Sequence, residues 1–382
     1  MNADTGTPSA GTPSGKQDPL AGFDFAKLIA SAAKLRPDRV ALTDHDAHSA
    51  NALTFAELER AVVHSAAAWR DAQIPEGACV LIVAGARVAP VIAVLGALHA
   101  GLDVALVPSH MSAAAIADFI RATGAQAICS EPANGGLDLA AEIFAAASLA
   151  GSIRLVATLG ERPVDGALNI DIVDFKSRAL THPPQPSERK SVVLTMTSSG
   201  GIASHSQHAL MSAAVDFIAE ARIGMRLPIV STISIASLAG IVAGPLAGFM
   251  SGAPVVLHAP FDSARLSDLL THNRQANVVI PAAIASAICD AGLVAHGDFA
   301  ALIVLYRHEE NAGAEGLNLP VSDIPDTCRS AIVDLHAFGE YQLSARTRDP
   351  LAPAVIQKPN ARTFIFDRMS RQPAERRRIV AG

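Results

Sequence analysis

Apolar residues recur at helical spacing over residues 24–35, which predicts an amphipathic helix, and again after Thr54. Thr54 is followed three residues later by Glu57, the pair that caps a helix start, so LTFAELERAVVHSAAAWRDA is predicted to open a second helix at that point. Short, uninterrupted apolar runs separate such segments. Val40 to Asp44, Gly77 to Gly85, LDVALVP and QAICS have the length and composition of buried strands. VAPVIAVLGALHAG, stopped by Gly101, and SAAAIADFIRATGA read as the helices between them. A second alternating set runs from Ser191 to about Leu343. Regular alternation of this kind predicts an α/β fold of two stacked subdomains with mostly parallel sheets covered on both faces.

The stretch from Leu227 to Leu257 carries no charged side chain and is long enough to span a bilayer. Pro228, Pro245, Pro254 and four glycines punctuate it. It divides into a strand (Pro228–Ile233), a helix (Ala236–Met250) and a strand (Pro254–His258), so a buried α/β unit is expected and no membrane span. Domain organisation follows from the same pattern. Residues 1–22 are a Gly/Thr/Pro/Ser-rich tail expected to be disordered, 23–190 an N-terminal subdomain with a linker at about 160–190, 191–350 a second subdomain, and 351–382 an irregular basic tail.

Composition narrows the picture. Of 382 residues, 50% are apolar and only 4% aromatic, which suits small-residue helices packed on sheets. The net charge of −6 excludes an obvious nucleic-acid surface. Cys79, Cys129, Cys289 and Cys328 lie far apart in apolar contexts and read as buried free thiols of a reducing, cytoplasmic compartment. Asp44 to Ser49 carries metal-capable side chains at short spacing, but no metal site is assigned there.

One connection carries candidate chemistry. TMTSSGGIASHSQHALM, Thr195 to Met211, follows the strand-like Ser191–Leu194 and precedes a helix-like stretch. A small-residue turn between strand and helix is a common phosphate site. No lysine lies between Ser191 and Met250. The plain alternative is an ordinary strand-to-helix turn with Ser204 as the helix cap.

The order of LTFAELERAV, IPEGACVLIVAGARVAPVIAVLGALHAGLDVALVP, FIRATGAQAIC and APVVLHAPFDSARLSDLLTHNRQANVVIPA resembles the large N-terminal region of the adenylate-forming superfamily, which includes acyl- and aryl-CoA synthetases, over roughly residues 25–345. The resemblance implies ATP-dependent activation of a carboxylate through an acyl-adenylate. It leaves open whether the acyl group passes to CoA. It places a phosphate loop at Thr197, Ser198, Ser199, Gly200 and Gly201, where the family's proline becomes Ile202 and its lysine Ala203. The adenine and magnesium motif falls at Phe338, Gly339, Tyr341 and Gln342, with glutamine where the family has the Mg²⁺-binding glutamate. His205, His208 or Glu340 would have to compensate for the lost groups. Ser234 and Arg307 fall where the family lines its substrate pocket; beside Arg307 the charged run to Asn311 also reads as a surface turn. The ribose-clamping motif and the C-terminal lid domain with its catalytic lysine are not found.

These losses imply an ATP/AMP-binding domain that is catalytically impaired, with weakened Mg²⁺ binding. It would hold a carboxylate or adenylate ligand, or act through a protein partner or as a homo-oligomer. A divergent active ligase with a lid from another chain, and a structural interaction module, are the alternatives.

Overall fold

The computed structural model describes residues 20, 22–45, 52–160, 163–170, 174–176, 179–293, 299–309 and 330–348. Residues 1–19 and 21 of the expected N-terminal tail, the expected C-terminal tail at 351–382, Cys328, and residues 46–49 of the metal-capable stretch lie outside these.

Two large sheets organise the chain. The seven-stranded sheet runs, edge to edge, Ile202–Ser206, Val192–Met196, Asp103–Pro108, Cys79–Ala84, Ala127–Ser130, Leu155–Leu159, Leu168–Ile170. All its pairs are parallel except the first. The eight-stranded sheet runs Gln342–Thr347, Ala331–Phe338, Ala301–His308, Asn277–Pro281, Ile229–Ser231, Val255–Leu257, Val40–Asp44, Ala52–Thr54. Its two outermost pairs are antiparallel and the rest parallel. Sheet membership crosses the chain order. Val40–Asp44 joins strands from the second half of the chain, and Val192–Met196 inserts beside Asp103–Pro108.

Between the sheets lies the main core, with the helices Phe55–Asp71 and Val88–His99 packed together inside it. Thr54 and Glu57 form the expected capping box at the start of the first. The second is buried over its whole length, as expected of a helix with no polar face. A Cβ on Gly96 would sit 2.3 Å from Ser65 Oγ, so only glycine permits this approach of the two helices. Smaller cores cover the outer faces of both sheets.

The uncharged stretch 227–257 is buried, and among the described residues no helix is long and apolar enough to cross a membrane. Its middle is not the single helix expected over Ala236–Met250. It divides into Leu238–Ile241, a widened turn at Val242–Leu246 and Ala247–Ser251. Pro245 has no N–H to donate and its ring crowds the preceding turn, and Gly244 absorbs the distortion at φ −110°, ψ −110°. Cys79, Cys129 and Cys289 are buried thiols outside any disulfide. Burial pushes the Cys79 thiol up to about 12, which keeps it protonated.

Candidate functional site

The candidate site is the junction where carboxyl-end segments of both sheets meet, with Ser234 bonded to Ala84 and Tyr341 reaching Ile202; such junctions are the usual ligand position in open parallel sheets, and the space at this one is called the crevice below. One wall is the segment after Val192–Met196. It does not lead directly into a helix. The chain turns over Thr197–Gly201 and returns as the antiparallel strand Ile202–Ser206, with Met196 paired to Ile202. The helix Gln207–Glu220 starts only after that, and its cap is Ser206, whose side chain accepts from Ala209 N; Ser204 is a strand residue. Two hydrogen-bonded strands outcompete an early helix start because Thr195 to Ser206 can satisfy their backbone groups against each other.

The turn also consumes its own donors. Thr197 N–H bonds Gly201 O at 3.0 Å, Gly200 N–H bonds Thr197 O at 3.0 Å, and Gly201 N–H bonds Thr197 Oγ1 at 2.9 Å. Thr197 Oγ1 and Ser199 Oγ lie 3.0 Å apart. Thr197 is buried, whereas Ser198, Ser199 and Gly200 are exposed at the tip, with Gly200 at φ +76°. Ala203 is fully buried opposite Thr195. The following helix starts only at Gln207, so its N-terminus does not open from this loop.

His205 is fully buried, and its Nε2 lies 2.8 Å from Thr195 Oγ1. Burial lowers its pKa to about 4, so near pH 7 it is a neutral partner of Thr195 and not a cation for a phosphate. His208 sits in the first turn of the helix Gln207–Glu220, half-buried.

The opposite wall is the turn between Ala331–Phe338 and Gln342–Thr347. Gly339 holds φ +54° and donates to His308 O. Phe338 packs on the His308 ring with centroids 4.8 Å apart. Tyr341 reaches across, its hydroxyl 3.4 Å from Ile202 O, and so ties this turn to the hairpin. Gln342 pairs with Phe338 at the strand start. The predicted loop and the predicted turn are therefore brought together.

Glu340, one of the three candidate compensating residues, is at the centre. The carboxylate is buried; Oε2 accepts from Leu238 N at 2.6 Å and Oε1 lies 3.3 Å from Arg307 Nη1. Thr195 also hydrogen-bonds it. Burial raises its pKa to about 7, against the opposing pull of the Leu238 amide, Arg307 and Thr195. Arg307 is not on a surface turn. It extends the strand Ala301–His308, paired with Ala337, with its side chain half-exposed. Ser234 Oγ donates to Ala84 O at 2.7 Å and accepts from Ala236 N at 3.1 Å, so it bridges the two sheets. Thr195 and the Leu238 amide were not legible as site groups, because nothing local marks residues that meet only through a distant carboxylate.

Residues 29–322 match the AMP-binding enzyme family. The chain belongs to this family. Solved structures of similar fold include the luciferase-like enzyme of the mealworm Zophobas morio, 11% identical with TM-score 0.70, covering 86% of this chain and 76% of that one. A putative long-chain-fatty-acid CoA ligase from Rhodopseudomonas palustris is 16% identical with TM-score 0.68, covering 85% and 79%. A benzoate CoA ligase from Burkholderia xenovorans is 18% identical with TM-score 0.67, covering 85% and 63%. Likeness at these identities carries the fold alone. No curated protein matches the sequence.

Within the AMP-binding fold, the donor set at the turn does not fit a hard divalent cation. Gln342 offers a neutral amide, and both Glu340 oxygens are engaged by Leu238, Arg307 and Thr195. Among the described residues no group of three or more His, Cys, Asp or Glu converges. At the start of the metal-capable hairpin, Asp44 instead accepts from Val88 N at 2.8 Å, fixing a helix start.

Proposed function

We propose that this AMP-binding, acyl-CoA synthetase-like chain holds an adenylate or carboxylate ligand and is impaired in activating a carboxylate with ATP. The observation that supports this most directly is the self-closed hairpin, in which the amides of Thr197, Gly200 and Gly201 bond within the turn. A lost charge-assisted phosphate contact costs roughly 1.5–3 kcal/mol, which the exposed hydroxyls of Ser198 and Ser199 do not replace. The adenine side relies instead on the turn at Phe338–Gln342.

The rival reading, a divergent ligase that uses His205, His208 or Glu340, loses support from the neutral, buried His205 and the engaged Glu340. Isothermal titration is expected to give AMP an affinity no lower than that of ATP with Mg²⁺, and pyrophosphate exchange with fatty and aromatic acids is expected to stay at background. ATP binding tenfold tighter than AMP, or robust exchange, overturns the reading.

A further inference from the structure

No lysine occurs between Lys190 and Lys358, and the hairpin wall of the crevice bonds the amides of Thr197, Gly200 and Gly201 within itself. A ligand with a negative group therefore needs its positive partner from elsewhere. Alternation along Ala301–His308 supplies one. Ile303 and Leu305 face the core between the sheets, and Arg307 is next on that face, at the carboxyl end of the strand. Its side chain is 54% exposed, while that of its partner Glu340 is 5% exposed. Only Nη1 is within reach of Glu340, at 3.3 Å. Glu340 is in turn fixed by Leu238 N and by Thr195, two residues before the hairpin turn.

We propose that Arg307 is the anion-reading residue of the crevice, supplied by the eight-stranded sheet in place of a loop lysine, with Glu340 as the buried carboxylate that positions it. The group read is a phosphate or a carboxylate of the bound ligand. A guanidinium offers five N–H donors in a planar fork. One edge rests on Glu340, and the fork's remaining donors suit the two oxygens of such an anion. The carboxylate of Glu340 also partly neutralises the arginine, so the pair sets affinity as well as position. This assignment rests on the reading of the crevice as a nucleotide or carboxylate site.

Calorimetry on the full chain at pH 8, with AMP, adenosine and benzoate as separate probes, tests it. Arg307→Met is expected to weaken AMP or benzoate at least tenfold while adenosine changes less than twofold. The probe that loses affinity identifies the source of the anion. Arg307→Lys, which keeps the charge, is expected to recover part of the loss. Melting curves of both variants check that they fold. Glu340→Gln keeps an acceptor for Leu238 N and removes the countercharge, so AMP or benzoate is expected to bind at least threefold more tightly. A merely structural Glu340 would instead give weaker or unchanged binding, which overturns its part of the proposal. If adenosine and AMP bind and Arg307→Met alters neither AMP nor benzoate, Arg307 is not the reader and the proposal fails while the ligand-binding function stands. If no probe binds the unaltered chain, the functional reading itself fails, and the assignment of Arg307 falls with it.

Discussion

The two walls of the crevice solve opposite problems. The hairpin at Thr197–Gly201 has an exposed tip and closes its own hydrogen bonds within a few residues. The turn at Phe338–Gln342 carries a buried carboxylate whose partners come from two other strands and a helix start. Locally closed structure is tolerant, because a side chain at the tip meets mostly water. Structure closed over long range is not, because each partner left behind is a desolvated polar group.

The largest effect separates the walls by one kind of substitution. Glu340→Lys places a second cation beside Arg307 in a buried site and is expected to cost about 3–5 kcal/mol, or to prevent folding. Ser199→Lys at the exposed tip is expected to stay within about 0.5 kcal/mol. Urea unfolding midpoints check both; similar costs on the two walls would break the comparison.

The next effect is pH dependence. The Glu340 carboxyl goes from 4.5 to about 7 on folding, so its contribution is full below pH 4.5 and is lost as pH rises through 7. His205 and His336 tilt the other way: burial lowers both from 6.5 to about 4, so their contribution is present above 6.5 and lost as pH falls through 4. These terms cancel in the difference between wild type and Glu340→Gln. From pH 5 to pH 8 the variant is expected to gain roughly 2 kcal/mol on the wild type. A difference that does not change with pH would mean that Glu340 is not desolvated in solution.

The smallest effect matches the walls and then separates them by function. Gly200 and Gly339 both hold positive φ, +76° and +54°. Alanine at either is expected to cost about 1 kcal/mol of stability. Only Gly339→Ala is expected to lower AMP affinity, because the turn it shapes carries Phe338 and Glu340. Calorimetry on both variants reads the split, and equal losses of affinity would place the ligand against the hairpin tip as well.

What the sequence determined by itself was the set of elements. Apolar periodicity and the Thr54–Glu57 capping box marked the helix Phe55–Asp71, and apolar runs marked Cys79–Ala84 and Asp103–Pro108, because these signals report burial and backbone satisfaction within one segment. Through the order of motifs it also led to the expectation that Thr197–Gly201 and Phe338–Gln342 lie near each other, and the Tyr341 hydroxyl is 3.4 Å from Ile202 O. Tertiary structure alone decided the rest. The motif turn became a hairpin because Ile202–Ser206 found a hydrogen-bonding partner in Val192–Met196, which no local propensity encodes. Val40–Asp44 entered the far sheet because Val255–Leu257 offered it an edge. Glu340 stands in the sequence only as one candidate to compensate for lost groups, and becomes a buried carboxylate only when Thr195, Leu238 and Arg307 converge on it. Such convergence depends on which distant groups lose water together, and that is fixed by packing across the two sheets rather than by any neighbouring residue.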